Sequence, residues 1–290
     1  MVDSVYTKIK DALASSCSEM PEAPRVACQG VEGAYSQIAA HKLFPNGGIT
    51  YVKSFEDVFA AIEQGSCDYG MLPVENSTAG TVTAVYELMK QYRFYIVGAI
   101  KLKVEHVLLG QPSVRIENLT EIVSHEQALN QCSEYIKRSG IKSTVCENTA
   151  VAAKRVAQAR SPYLAAISSE DCAELYSLNV LERGIANSPY NYTRFICISK
   201  QLEIYEGASK ISVVMNAPNR PGALYAMLGD FANLELNLTK LESRPIAGTD
   251  FEYMFFLDLE GSVRDDRVLG LIERLTEDGC MTFLGNYTQI

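Results

Sequence analysis

Short apolar runs alternate with amphipathic stretches along the first 200 or so residues. Arg25–Gln29 (RVACQ) reads as a strand, followed by the turn GVEGAYS and an amphipathic helix, QIAAHKLF. Residues 49–52 (ITYV) and 68–74 (DYGMLPV) read as further strands, with a helix predicted over 54–64 between them. Ser54, with Asp57 three residues on, is close to a capping box. The polar loop ENSTAG (75–80) leads into a helix through Tyr86 and Met89. Residues 101–109 (KLKVEHVLL) read as one extended run and 120–123 (TEIV) as a strand. One helix is predicted from SHEQAL to Gly140, the residue that ends it. A helix over 149–159, a strand over 164–167, a helix in SSEDCAELYSL and a buried strand over 195–198 complete the alternation. This rhythm predicts an α/β fold with parallel layers. Open sheets of that class bind ligands at the carboxyl ends of their strands. That singles out GVEGAYS, ENSTAG, SHEQ and AISSED.

The rhythm changes after residue 208. Ile211–Met215 reads as a strand, and PGALYAMLGDFANLE as a helix with Pro221 near its first turn. LNLTKLESRPI and FEYMFFLDLEG read as two strands joined by AGTD, a hairpin-like turn. A helix, RDDRVLGLIERLTEDG, and a last strand, MTFLGNYTQ, follow. The order is βαββαβ, the ferredoxin-like plan. Residues 203–210 make the natural boundary. Residues 1–24 read as a short helical piece and a loop, an N-terminal tail or linker. The α/β region spans 25–205 and the C-terminal domain 208–290.

The length of 290 residues fits that division. The net charge of −9, with no basic stripe, argues against a nucleic-acid partner. No apolar run approaches the ~18 residues of a membrane span, so a cytoplasmic location and no membrane contact are expected. The eight cysteines form no CxxC pair and read as reduced thiols. His41, His106 and His125 stand far apart, without metal-ligand spacing, so no metal site is expected.

Three local patterns carry candidate chemistry. Gly30 and Gly33 bracket a turn able to point backbone N–H groups at an anion, with Ser36 in the first turn of the next helix. A plain strand-to-helix turn would look similar. Glu75, Asn76, Ser77 and Thr78 place four hydrogen-bonding residues after an apolar strand. Glu75 is a proton source if burial raises its pKa, or a structural cap if not. Last, SPYNYTRFICISK (188–200) sets Asn191, Thr193 and Arg194 at the mouth of a core strand.

GVEGAYSQIAA, LPVENSTAG, SHEQAL, NYTRF, PGALY and LESRP occur in this order. Together they closely resemble the prephenate dehydratase family with a C-terminal ACT regulatory domain, over about residues 25–290. The resemblance implies loss of water and carbon dioxide from prephenate to give phenylpyruvate, in phenylalanine biosynthesis, with no cofactor. It implies a two-lobed, periplasmic-binding-protein-like catalytic region, lobe 1 being about 25–100 with 185–205 and lobe 2 about 101–184. The active site would lie between these lobes. It also implies an ACT domain that binds L-phenylalanine between subunits, hence a homodimer or homotetramer. Thr193 is then the catalytic hydroxyl, with Glu75 beside it. Gly33, Ala34, Tyr35, Ser36, Asn76, Ser77, Thr78, Ser124, His125, Gln127, Asn191, Arg194 and Phe195 are expected to bind substrate. Asn216, Pro221, Gly222, Ala223, Leu224, Glu242, Ser243, Arg244 and Pro245 are expected to hold the effector. The sequence departs from the family at Glu126, where a proline is usual. Arogenate dehydratase and a non-catalytic aromatic-ligand sensor are the alternatives. The 24 residues before the first strand are too few for the helical chorismate mutase unit some relatives carry, so no mutase activity is expected.

Overall fold

The computed structural model describes residues 4–15, 19–218, 220–246 and 253–290. In chain order its elements begin with α1 (Val5–Ala14), β1 (Arg25–Gln29), α2 (Tyr35–Leu43), β2 (Gly48–Val52), α3 (Phe55–Glu63), β3 (Tyr69–Asn76), β4 (Gly80–Thr81), α4 (Thr83–Tyr92) and β5 (Tyr95–Lys103). Next come β6 (Val107–Gly110), β7 (Glu121–Ser124), α5 (Glu126–Gln131), α6 (Ser133–Ser139), β8 (Lys142–Val145), α7 (Thr149–Ala159), β9 (Leu164–Ser168), α8 (Asp171–Leu175), β10 (Asn179–Glu182) and β11 (Tyr192–Ser199). The chain ends with β12 (Lys210–Ala217), α9 (Ala223–Ala232), β13 (Asn237–Pro245), β14 (Tyr253–Glu260), α10 (Asp266–Glu277) and β15 (Met281–Gln289). Two compact units divide it: Glu22–Leu88 with Ile100–Phe195, and Met1–Pro21 with Met89–Ala99 and Ile196–Ile290.

The first of these units holds two sheets. In one, β1 pairs in parallel with β2 and with β3, and β11 lies on the far side of β3. The other has the order β10-β6-β9-β7-β8. Its β7 is parallel to β8 and β9, whereas β6 runs antiparallel to both β9 and β10. The expectation of purely parallel layers is therefore corrected to a mixed sheet. The alternation of its side chains explains why these strands read as unbroken apolar runs. Val107, Leu109, Val123 and Ala166 bury one face under α7, while Leu108, Ile122, Ala165 and Ile167 bury the other under α5 and α6. A sheet covered on both faces needs no polar positions. Each fully buried aliphatic side chain contributes about 1.5–3 kcal/mol.

Local signals set several boundaries. Ser54 and Asp57 form the reciprocal capping box expected at the start of α3, worth about 1 kcal/mol. Asn148 caps α7 through Val151 N–H at 2.8 Å. Gly140 closes α6 in the left-handed region. The single helix predicted from SHEQAL is two helices, because the chain departs from helical geometry at Cys132. The extended run 101–109 is likewise split between β5 and β6.

The second unit contains the order β12-α9-β13-β14-α10-β15, the βαββαβ plan read from the sequence. Its strands lie antiparallel as β13-β14-β12-β15, and β15 adds β5 in parallel. The expected AGTD turn, at 247–250, and Cys17 fall outside the described residues. The N-terminal segment differs from the expected tail: Ile9 and Ala12 of α1 are buried in the same core as Met227, Phe231, Leu269 and Ile272. Its apolar stripe, hidden by the shortness of the segment, packs on α10.

Candidate active site

β3 runs two residues further than the apolar pattern suggests, so Glu75 and Asn76 are strand residues rather than loop. Successive strand residues point to opposite faces. Asn76 is buried and points toward β11, where Asn191 and Thr193 are buried with it. Asn76 Nδ2 donates to Asn191 Oδ1 at 2.8 Å and to Thr193 Oγ1 at 2.9 Å. The amide cannot be turned round. Its Oδ1 already accepts from Thr78 N–H at 3.0 Å, Thr78 Oγ1 at 2.7 Å and Ala79 N–H at 2.9 Å. Thr193 Oγ1 is therefore an acceptor toward Asn76, and its own proton is available to a different partner.

Thr193 borders a cleft of about 500 Å³. Ala34, Tyr35, Ser36, Asn76, His125, Gln127 and Phe195, all expected from the sequence, line it too. Sequence reasoning missed Gln29, Phe55, His106, Gln131 and the Glu147–Thr149 segment. Tyr35, Phe55 and Phe195 provide aromatic wall, and Pro73, Val82 and Val104 apolar wall. No Lys or Arg is among the described lining residues. Two helix N-termini reach the cleft instead. Ala34, at the start of α2, gives no side-chain cap, which leaves first-turn N–H groups to a ligand. Asn148 and Thr149 open α7. Such ends attract anions.

Gln131 ties this cleft together. Its Nε2 donates to Thr78 Oγ1 at 2.5 Å, and its Oε1 accepts from Asn191 Nδ2 at 3.0 Å. His106 Nε2 stands 2.8 Å from the same Oε1. His106 is buried, and burial lowers its pKa below the ordinary histidine value, opposed by the bond to Gln131. Gln127 and Gln131 stand one helical turn apart, i and i+4, a spacing that could have drawn Gln131 from the sequence. A second hollow of about 550 Å³ shares His125, Gln127 and Gln131 and is bordered by Thr78 and Asn191.

Other expected residues serve the frame. Gly33 has φ +90°, and a Cβ there would stand 2.8 Å from Cys172 Sγ. Ser77 locks the two loops: its N–H donates to Tyr192 C=O at 2.8 Å, and its Oγ accepts from Tyr192 N–H at 2.9 Å. Ser124 is fully buried and donates to Ile167 C=O at 2.6 Å, so it holds β7 to β9 rather than a ligand. Glu75 and Arg194 are placed differently from the other expected residues. Alternation turns both away from the Asn76–Thr193 face, and they form an ion pair at 3.5 Å with Glu75 41% exposed. Neither lines the cleft.

In the C-terminal unit, Ala223 and Leu224 line a small hollow of about 160 Å³ with Arg220, Tyr253 and Phe255. Gly222, φ +80°, starts α9 beside them, directly after Pro221. Asn216 N–H donates to Cys280 C=O at 2.9 Å. Glu242, Ser243, Arg244 and Pro245 lie along β13, outside that hollow's lining. Glu242 pairs with Arg244 at 2.5 Å and with Lys240 at 3.2 Å on one face of the strand.

A family model described as prephenate dehydratase matches residues 26–203. The chain is 36% identical over 276 residues to arogenate dehydratase/prephenate dehydratase 2, chloroplastic, of Arabidopsis thaliana, covering 91% of this chain and 72% of that one. Among solved structures, a prephenate dehydratase from Arthrobacter aurescens in complex with L-Phe superposes with a TM-score of 0.81, at 28% identity, covering 91% of this chain and 89% of that one. A chain described as a novel type of quorum quenching acylase, GqqA, also superposes with a TM-score of 0.81, at 30% identity, covering 92% and 98%.

Proposed function

The chain belongs to the prephenate dehydratase family, and on that premise we propose that the cleft beside Thr193 converts prephenate to phenylpyruvate. The reaction consumes one proton: prephenate dianion and H⁺ give phenylpyruvate anion, carbon dioxide and water. Aromatisation of the ring supplies the driving force. The chain has to hold a dianion, help the ring hydroxyl leave as water and let the ring carboxylate depart.

Each task has residues suited to it. The N-termini of α2 and α7 present N–H groups and positive dipole ends to carboxylates. Tyr35, Phe55 and Phe195 stack about the ring as it becomes planar. The apolar wall keeps the departing carboxylate poorly solvated. Thr193 donates a hydrogen bond to the leaving oxygen and holds it in line, and the proton that the reaction consumes comes from solvent as that oxygen departs as water. The observation that carries this reading is the direction of the Asn76–Thr193 bond: because Asn76 is the donor, Thr193 is left able to donate.

Arogenate, the amino analogue, fits the same scheme, and the Arabidopsis relative's name joins both activities. The two differ only at the side-chain keto or ammonium group, remote from the bonds that break. L-phenylalanine is proposed as effector of the C-terminal unit, supported by the relative solved with L-Phe. The hollow at Ala223 and Leu224 is its candidate contact, completed in a homodimer or homotetramer, and the setting is cytoplasmic. Ultraviolet detection of phenylpyruvate from purified protein tests the reading, run with prephenate, with arogenate, and with added L-phenylalanine. No turnover of either substrate would overturn it.

A further inference from the structure

The hydrogen bonds around Gln131 fix a proton that no sequence pattern points to. Asn76 Oδ1 is saturated by Thr78 and Ala79, so Asn76 presents its NH₂ to Asn191. Asn191 must then turn its Oδ1 to Asn76 and its Nδ2 to Gln131. Gln131 receives that bond on Oε1 and uses Nε2 for Thr78. The other neighbour of Gln131 Oε1 is His106 Nε2, at 2.8 Å. A carbonyl oxygen only accepts, so His106 Nε2 must carry the ring's proton. Its Nδ1 then holds a lone pair, sealed from solvent and without a hydrogen-bond partner among the described residues.

We infer that His106 is a positioning residue for the dehydration: its Nε2–H anchors Gln131, which keeps Asn191 and Thr78 in the orientation that leaves the Thr193 proton free. The inference rests on the reading of this cleft as the dehydration site. His106 sits at the entry to β6 and is only 4% exposed, with the Tyr35 ring edge-on at 6.4 Å. A ring so enclosed moves little, and a rigid support is what a catalytic hydrogen-bond chain needs. A neutral ring also fits the place. A second proton, on Nδ1, would be a buried donor with no acceptor, and burial already works against it.

Three variants and one spectrum test this. His106→Gln can place an amide N–H where Nε2 stands. His106→Asn reaches only as far as Nδ1, and His106→Leu fills the space without a donor. With prephenate, kcat of His106→Gln should stay within about threefold of wild type, whereas His106→Asn and His106→Leu should lose roughly ten- to a hundredfold in kcat with KM moved less than about threefold. Thermal unfolding of all three should be similar. Equal losses in His106→Gln and His106→Asn, full kcat in His106→Leu, or losses that simply follow Tm would overturn the inference. Nitrogen NMR of the imidazoles gives a reading independent of activity, and only three histidines need assigning. His106 should show a protonated Nε2 and a bare Nδ1. A proton on Nδ1 refutes the inference even if the protein is a dehydratase, and the expected tautomer with no turnover by wild type points to failure of the dehydratase reading instead.

Discussion

Asn76 donates to Thr193, and not the reverse: Nδ2 lies 2.9 Å from Oγ1 while Oδ1 is occupied by Thr78 and Ala79. An acceptor placed at Nδ2 would claim the Thr193 proton for itself. Asn76→Asp makes that change with almost no change of shape. Turnover of prephenate should fall by about a hundredfold or more, in the range expected when a hydrogen-bond donor to the reacting oxygen is withdrawn. Thr193→Val should lose at least as much, and Thr193→Ser should keep part of the activity. Far-UV circular dichroism should be unchanged in all three. Near-wild-type turnover in Asn76→Asp would contradict the assignment.

Glu75 and Arg194 flank the reactive pair in sequence but face the other way. Their ion pair is partly exposed and, like most such pairs, is worth no more than about 1 kcal/mol. Glu75→Gln should therefore keep kcat within about tenfold of wild type, far above Thr193→Val. A loss as deep as that of the Thr193 variant would restore Glu75 to the chemistry.

Gly285 marks where β15 meets the β5 backbone. A Cβ there would overlap the Ile96 carbonyl oxygen and come within 3.1 Å of the Ile96 nitrogen. Backbone has little room to yield. Gly285→Ala should destabilise the protein by about 3 kcal/mol, the upper range for overpacking, seen as a lower urea midpoint. An unchanged midpoint would mean that β15 and β5 can separate freely at this point.

Burial pushes the thiols of Cys28 and Cys132 up to about 12 from an ordinary value of 9.0. The folded chain keeps protons that the unfolded chain has lost at the same pH. This contribution to stability is whole below pH ~9 and disappears as pH climbs from there toward ~12. Denaturant titrations at rising alkaline pH should show a steady decline that is shallower in Cys28→Ala. At neutral pH both thiols should resist a thiol-specific reagent in native protein and react after unfolding.

The elements legible in the sequence were those with local causes. α7 begins and ends where its apolar spacing places it, and α3 where Ser54 and Asp57 do. Elements decided by pairing were hidden. β4 is two residues that exist only against Glu75 and Asn76, and β10 is an antiparallel edge on β6. The same distinction holds in the cleft. Residues within recognisable motifs, such as Tyr35, Asn76, His125 and Thr193, could be named in advance. His106 could not, and Gln131 only through its i, i+4 spacing from Gln127, since each gains its meaning from residues brought to it by the fold. The side that Glu75 faces is hidden for a related reason. One extra pair of strand residues turned a loop carboxylate into one on the reverse face of a sheet.

The cleft has helix ends where a fixed cation would have been the simpler choice. That choice bears on how the cycle closes. In the proposed reaction the substrate arrives with two carboxylates, and one departs as neutral carbon dioxide while the ring hydroxyl leaves with a proton as water. Dipoles act over short range, and their hold depends on how many anionic groups sit against them. An arginine clamp would have gone on gripping the remaining carboxylate with the full strength of a charge pair. Here the chemistry itself removes half of what the site was holding, so turnover loosens its own product.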